Sequence, residues 1–164
     1  MEIRRLRAGE GERLRELRLR ALRDAPDAFA ESLDTAQAAG APYWDAFADA
    51  SEAASERVTM IAVEDGRWLG MGAAFLEPER ADIVGVVAMW VDPSARGARV
   101  GHRLLDALLD WGRARGAARA ELWVTEGNAR AEAGYRSYGF EPTSRRWPRR
   151  DKPGLAWAQM TRAI

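Results

Sequence analysis

The stretch "MWVDPSARGARVGHRLLDAL" at residues 89–108 decides the fold. It completes an almost wholly apolar run, 83–91, which is typical of a buried β-strand, and Pro93 ends that strand. From Val100 onward, apolar residues recur at helical spacing and predict an amphipathic helix. The turn between the two elements contains two glycines and two arginines, and the question is whether it binds a ligand.

This turn has the composition of an anion site. A helix N-terminus carries unpaired backbone N–H groups and the positive end of the helix dipole. Gly97 and Gly101 leave room for a ligand, and Arg96 and Arg99 add positive charge. The turn lacks both the Gly-Lys-Ser/Thr ending of a P-loop and the three glycines of a dinucleotide fingerprint. By itself, the spacing fits a plain strand–helix turn equally well.

A second segment, "NARAEAGYRSYGF" at 128–140, favours the interpretation of the turn as a ligand site over a plain strand–helix turn. Together the two segments resemble the GNAT superfamily of acyl-CoA-dependent N-acyltransferases. In that family a strand ending in Val-x-Pro leads into an Arg/Gln-x-x-Gly-x-Gly/Ala turn. Arg99 stands where the family usually has its middle glycine. The matching residues are Val91, Pro93, Arg96 and Gly101 in the first segment, and Asn128, Ala131, Tyr135, Gly139 and Phe140 in the second.

The resemblance and the order of elements predict a mixed α/β fold in a single domain, 1–164. A mostly antiparallel sheet of six or seven strands is flanked by about four helices, and two strands splay apart at the CoA site. The strand–helix–strand order within 83–125 predicts one right-handed parallel crossover. Residues 24–42 are predicted to be mainly loop. Strands are predicted over 2–7, 57–64, 67–77, 83–91, 117–125, 140–147 and 155–162. Helices are predicted over 12–24, 42–54, 99–115 and 128–139.

Acetyl-CoA is the co-substrate that the resemblance implies. Its pyrophosphate would bind the backbone amides of 96–101, and its pantetheine arm would pair with the strand end. The amide near Met89 would polarise the thioester carbonyl. Asn128 would contact the pantetheine amide as well as cap the short helix, and capping alone is the alternative. The implied cofactor-binding residues are Met89, Trp90, Val91, Arg96, Gly97, Ala98, Arg99, Val100, Gly101, His102, Asn128, Ala131 and Tyr135.

Tyr135 is the predicted general acid that protonates the departing CoA thiolate. An unperturbed tyrosine has a pKa of about 10 and is therefore neutral at physiological pH. The alternative is a core aromatic role, which Tyr138 exemplifies. The acceptor amine must also lose a proton, and strand 83–91 offers no carboxylate as base. Glu126 and Glu77 are the first candidates, each alternatively a solvated charge, and a water chain is the other route.

The composition excludes several classes of function. Twenty-five basic and 25 acidic residues give no net charge, which argues against nucleic acid as a partner. The chain has no cysteine and only one histidine, so disulfides and thiolate nucleophiles are excluded and no metal site is expected. No apolar run approaches the roughly 20 residues of a membrane span. We therefore expect a soluble, cytoplasmic protein without a membrane partner.

The acceptor is the least determined feature. The leading hypothesis is acetyl transfer to a primary amine of a small molecule. The alternatives are transfer to protein N-termini or lysines, and a non-catalytic acyl-CoA-binding regulatory module. We expect the acceptor site between 25–47 and the hairpin 141–155, whose arginines either recognise an acidic substrate or are solvated. Three aromatic residues either line an aromatic pocket or pack the helices: Trp44, Phe47 and Phe29. The family often forms homodimers, but the sequence predicts no interface.

Overall fold

A single seven-stranded sheet organises the protein, as a computed structural model of residues 1–164 shows. Its strands are β1 (Glu2–Arg5), β2 (Arg57–Glu64), β3 (Arg67–Leu76), β4 (Ile83–Val91), β5 (Arg119–Thr125), β6 (Glu141–Pro148) and β7 (Ala156–Ala163). They lie in the order β1-β2-β3-β4-β5-β7-β6. Only β4 and β5 are parallel. The predicted mixed, mostly antiparallel sheet is confirmed.

Five α-helices flank the sheet, one more than the sequence predicts. They are α1 (Gly11–Asp24), α2 (Leu33–Ala38), α3 (Ala41–Ala53), α4 (Val100–Arg113) and α5 (Ala129–Ser137). The unpredicted helix is α2, which begins where the Ser32 side chain accepts a hydrogen bond from the Thr35 amide at 3.1 Å. It has six residues and buries only Ala36, so its sequence shows no apolar periodicity. None of the helices has the length and apolarity needed to cross a membrane.

The two faces of the sheet carry separate cores. Helix α4 covers one face, and its fully buried Leu104 and Leu108 confirm the predicted apolar stripe. Helices α1 and α3 cover the other face, where Leu17 and Trp44 are buried. Burial of each leucine contributes about 1.5–3 kcal/mol relative to exposure, so the two cores hold the sheet rigidly between the helix layers.

A β-bulge at Ala88 interrupts strand β4. Met71 of β3 pairs with Trp90 and Ala73 pairs with Val87, so two residues of β4 lie opposite one residue of β3. Ala88 adopts a left-handed conformation with φ of +55°. The extra residue reverses the alternation of side chains: residues 84 and 86 face α4, and after the bulge 89 and 91 do so, whereas Trp90 points into the opposite core.

Strands β4 and β5 separate just before this bulge. Their ladder runs from Ile83 opposite Arg119 to Val86 opposite Leu122 and extends no further. The splay that the resemblance implies is therefore present. The apolar run of β4 predicted a strand buried on both faces, but this holds only up to Val86. Val87 is 46% exposed because it borders the gap between the separated strands.

The contact between α4 and β4 yields a stability prediction. A Cβ atom on Gly112 would lie 2.9 Å from Cβ of Val84. We expect Gly112→Ala to lower the free energy of unfolding by about 1–3 kcal/mol, because overpacking outweighs the better helix propensity of alanine. Gly134 in α5 is the control, since its Cβ would meet no atom within 4 Å. Gly134→Ala should raise that free energy by roughly 0.5–1 kcal/mol. Urea unfolding measures both, and equal shifts would contradict the prediction.

Candidate active site

A cleft of about 480 Å³ fills the space where β4 and β5 separate. Its walls come from the ends of these strands, the N-terminal turns of α4 and α5, and the segment after α1. Apolar side chains predominate, and no aspartate or glutamate lines the cleft. The structure also has no group of three or more histidine, cysteine or acidic side chains that could hold a metal ion. The polar groups available in the cleft are therefore backbone amides, arginines and the side chains of His102, Thr125, Asn128 and Tyr135.

The turn between β4 and α4 forms one end of the cleft. Asp92 begins it by accepting hydrogen bonds from the Ser94 amide at 3.0 Å and the Ser94 hydroxyl at 2.7 Å. Gly97 and Arg99 then adopt left-handed conformations with φ of +87° and +56°. This backbone path brings the chain into the first turn of α4 directly beside the end of β4.

The N-terminus of α4 is open toward the cleft. No side chain caps its first N–H groups, and Val100, Gly101 and His102 line the cleft. Helix α4 has 14 residues, so its N-terminal end carries the partial positive charge of the helix dipole. Uncapped amides at such an end are suited to a phosphate oxygen. The turn and the start of α4 therefore have a geometry suited to an anion, and the anion site stays a prediction.

Asp24 fixes Arg96, which lies in the turn four residues before the first residue of this helix. Arg96 forms an ion pair with the Asp24 carboxylate, and its Nε donates to the Val91 carbonyl at 3.1 Å. The indole Nε1 of Trp90 donates to the same carboxylate at 2.9 Å. Desolvation acts to raise the pKa of Asp24, but the hydrogen bonds from Trp90 and Arg96 outweigh it and hold that pKa below its ordinary value. The carboxylate thus stays charged and keeps the guanidinium at the cleft.

Tyr135 projects into the cleft from α5. Its ring is partly buried and meets Phe140 edge-on, with centroids 6.0 Å apart. No protein group hydrogen-bonds its hydroxyl, and burial raises the pKa of Tyr135 to about 12. Tyr138 differs, because its hydroxyl donates to Asp106 at 2.5 Å on α4. Tyr135 therefore presents a neutral, unengaged hydroxyl to the cleft, whereas Tyr138 joins two helices.

Two further polar residues border the cleft. The Asn128 side-chain oxygen accepts from the Ala131 amide at 3.2 Å, so Asn128 caps α5 and leaves its side-chain NH₂ group free. His102 lies 3.1 Å from the Ser137 hydroxyl through Nε2 and 3.4 Å from an Arg99 nitrogen through Nδ1. His102 thus connects the turn before α4 to α5.

The family follows from comparison with known proteins. The sequence model described as "Acetyltransferase (GNAT) family" matches residues 15–140. The chain belongs to this GNAT acetyltransferase family. Mycothiol acetyltransferase of Beutenbergia cavernae is 38% identical over 81 residues, which are 49% of this chain. The match covers only 27% of that relative's length.

Solved structures agree with this GNAT assignment at the level of the fold. A GNAT acetyltransferase from Streptococcus pneumoniae has a TM-score of 0.84 at 17% identity, covering 99% of this chain and 98% of the other. The protein yncA from Salmonella typhimurium, solved with acetyl-CoA, has a TM-score of 0.80 at 18% identity, covering 99% and 93%. At such identities the similarity establishes the fold alone.

Nearly all of the cofactor-binding residues implied by the GNAT resemblance are brought together. Every one lines the cleft except Ala98, which lies in the turn but not on the lining. The two predicted bases are not brought there. Glu77 follows β3, at the end of the sheet remote from the cleft, and lies 3.9 Å from Arg80. Glu126 directs its carboxylate to Arg146 of β6 at 2.6 Å.

Thr125 and Arg130 line the cleft, and the sequence did not predict either as a site residue. Ala25 and Ala28 also line it; they lie within the range 25–47 expected for the acceptor site, but the sequence did not single them out. Alanines carry no chemical signal, and only the packing of α1 on the sheet brings them to β5. Of the two alternatives for Trp44, Phe47 and Phe29, the structure favours helix packing: all three belong to the α1 core, and none of them lines the cleft.

Arg99 provides a test of the turn, because it occupies the usual glycine position of the GNAT pattern in a left-handed conformation. We expect Arg99→Gly to raise the free energy of unfolding by roughly 0.5–1 kcal/mol, because glycine adopts this conformation without steric cost. Arg99→Ala removes the same charge but keeps the Cβ atom, so it should bring no gain. Denaturant unfolding compares the two variants. Equal stabilities would show that the backbone at residue 99 is unstrained.

Proposed function

We propose that this chain transfers the acetyl group of acetyl-CoA to a primary amine of a compact small molecule, by direct attack in a ternary complex. The observation that carries the proposal is the continuity of the cleft. One space joins the open N-terminus of α4, the separated edges of β4 and β5, and the hydroxyl-bearing ring of Tyr135. An anion site, a free strand edge and a proton donor are therefore available to one extended ligand.

The diphosphate of acetyl-CoA would bind at the start of α4. Its oxygens would accept hydrogen bonds from the uncapped amides between Gly97 and His102, with Arg96 and Arg99 balancing the charge. Arg96 is already held at this position by Asp24, so little side-chain entropy is lost on binding. The structure of yncA with acetyl-CoA supports this choice of donor for the fold.

The pantetheine arm would enter the gap between β4 and β5. Amide groups of an extended ligand can pair with a free strand edge as an added strand does. Residues 87–91 supply such an edge because the ladder with β5 ends at Val86. From the other side of the cleft, the free NH₂ group of Asn128 would contact an amide of the pantetheine arm. The arm would also cover the exposed Val87, which gains apolar burial.

The chemical step needs a polarised carbonyl and a proton donor. The amine nitrogen attacks the thioester carbon, and the backbone amide of Met89 stabilises the developing oxyanion. When the tetrahedral intermediate collapses, the C–S bond breaks and the Tyr135 hydroxyl delivers its proton to the thiolate sulfur. Since burial raises the pKa of Tyr135 to about 12, the phenol is fully protonated at neutral pH. The nitrogen, which carries one extra proton after the attack, releases that proton to water, and the phenolate is reprotonated from solvent.

The proton of the attacking ammonium would leave by water. No carboxylate lines the cleft, and Glu126 is engaged by Arg146 while Glu77 lies at the remote end of the sheet. Among the routes open from the sequence, the water chain therefore fits the geometry better than either glutamate. An apolar lining also favours loss of this proton, because burial destabilises a charged ammonium.

A compact acceptor fits the remaining space better than a peptide. The whole cleft holds about 480 Å³, of which the pantetheine arm takes part, and pockets for single small ligands have about 300–1,000 Å³. The wall formed by Ala25 and Ala28 limits the opening on the α1 face. The name mycothiol acetyltransferase, carried by a relative that matches half of this chain, supports acetyl transfer but not a particular acceptor.

A thiol-release screen tests the proposal. We expect acetyl-CoA to bind in calorimetry, and free CoA to appear with at least one of phenethylamine, spermidine, an aminoglycoside and an amino-acid amide. Longer peptides that carry a free primary amine should react at least about tenfold more slowly than these small amines, which corresponds to a difference of about 1.4 kcal/mol in the activation barrier. Absence of acetyl-CoA binding would overturn the assignment of acetyl-CoA as the acetyl donor. Turnover only with peptides would overturn the compact acceptor.

The variant Tyr135→Phe tests the role of Tyr135 as the general acid. We expect kcat to fall by about 10²–10⁴-fold because a positioned general acid contributes that much. Acetyl-CoA affinity should stay within about twofold, since the ring and its packing on Phe140 remain. Tyr138→Phe is the matched control: it should keep activity and lose about 1 kcal/mol of stability with its bond to Asp106. Equal activity of the two variants would remove Tyr135 from the mechanism.

A further inference from the structure

Arg149 is a fully buried arginine outside the proposed catalytic machinery. All five N–H donors of its guanidinium are used. Nε and one Nη bind the Asp151 carboxylate, and the same Nη donates to the Phe29 carbonyl at 2.7 Å. The other Nη donates to the Asp27 carbonyl and to the Thr125 hydroxyl, the latter at 2.9 Å. The guanidinium also stacks 4.1 Å above the Trp157 ring.

These bonds join three distant parts of the chain. The segment 25–29 forms the cleft wall on the α1 face, and Thr125 ends β5 within the cleft lining. The Thr125 hydroxyl itself donates to the Asp27 carbonyl at 2.7 Å. Lys152 adds a bond to the Pro26 carbonyl at 2.7 Å. The wall is therefore attached to β5 and to the turn after β6 by polar bonds.

The position of this wall defines how the cleft opens. Tyr135 and the N-terminus of α4 lie on one face of the sheet, and Ala25 and Ala28 pack against the core of the opposite face. A cofactor that binds from the α4 face therefore leaves the α1 face for the acceptor. Residues 26–28 form only a short 3₁₀ turn, so the segment owes its placement to its contacts and not to its own hydrogen bonds.

Burial of a guanidinium is costly unless every donor is paired. Arg149 meets that condition, yet an apolar side chain of similar volume would fill the same space without the desolvation cost. A planar group with five fixed donors can, however, hold two carbonyls and a hydroxyl at defined relative positions. The arrangement thus favours a role in placing the wall over a role in stability alone.

We propose that Arg149 is a positioning residue that holds wall 25–29 across the end of β5 and so limits the acceptor to compact amines. The proposal rests on the proposed acetyl transfer. When the guanidinium is absent, the wall keeps its bonds from Thr125 and Lys152 but is held less firmly. Water and larger groups then enter from the α1 face, and a small amine is positioned less well against the thioester. Binding of acetyl-CoA from the opposite face is left intact.

The test compares wild type with Arg149→Met and Arg150→Met, each saturated with acetyl-CoA. Methionine in place of Arg149 keeps much of the length of the side chain without its donors. Arg150 is an exposed neighbour with no hydrogen-bond partner, so its replacement controls for lost charge. Hydrogen exchange of residues 25–32 measures how often the wall opens. The kinetics of phenethylamine acetylation give KM and kcat for the acceptor, and calorimetry gives the Kd for acetyl-CoA.

In Arg149→Met we expect amide exchange of 25–32 to accelerate about tenfold or more, because the Asp27 and Phe29 carbonyls are no longer held and the segment opens more often. The KM for phenethylamine should rise about tenfold while kcat and the acetyl-CoA Kd change by less than about threefold, which marks lost acceptor positioning. Arg150→Met should match wild type. Unchanged exchange, or equal weakening of acetyl-CoA binding, would overturn the proposal.

A second variant covers the case in which Arg149→Met does not fold. Thr125→Val removes the hydroxyl that links Asp27 and Arg149 but keeps the shape and the buried charge pair. It should accelerate exchange of 25–32 about threefold, and an unchanged rate would again overturn the proposal. Exchange is measured without turnover, so failure of the proposed function appears separately, as absent acetyl-CoA binding or absent thiol release in wild type.

Discussion

The bulge at Ala88 is the constraint on which the rest of the structure depends. One extra residue in β4 exchanges the faces of the side chains that follow, so that Met89 packs toward α4 and Trp90 enters the α1 core. A bulge also bends its strand and increases the local twist. The parallel ladder with β5 ends two residues before it. The gap, the free strand edge and the exposed Val87 all follow from this single irregularity.

Charged pairs then hold the borders of the gap, whose interior carries no acidic side chain. Asp24 holds Arg96 beside the start of α4, and Arg149, paired with Asp151, holds the wall at the α1 face. The Arg149 guanidinium is buried and its pair is therefore screened less by salt than pairs on the open surface, whereas Arg96 and Asp24 each keep about a quarter of the side chain exposed. An arginine-rich chain without net charge can thus use its guanidinium groups as fixed supports around an apolar cleft.

The sequence predicted the segments that carry a motif better than the segments that carry none. The segments around Arg96 and Asn128 specified most of the cleft, because the chemistry of a diphosphate and an amide restricts which backbone and side chains can bind them. Helix α2 was not predicted, and Ala25 fell within the range expected for the acceptor site without being singled out, since short alanine-rich segments carry neither periodicity nor chemistry. Glu126 has the carboxylate that a general base needs, yet it forms an ion pair with Arg146 of β6 and does not line the cleft.

The sequence by itself determined the family, the order and spans of most elements, and the candidate acid Tyr135, because local periodicity and motif spacing are properties of neighbouring residues. Tertiary structure alone decided which residues meet. The left-handed Ala88 is imposed by packing on both faces of the sheet, since alanine has no preference for that conformation. The wall on the acceptor side likewise depends on Arg149 reaching residues more than a hundred positions away. Contacts of that range leave no local pattern.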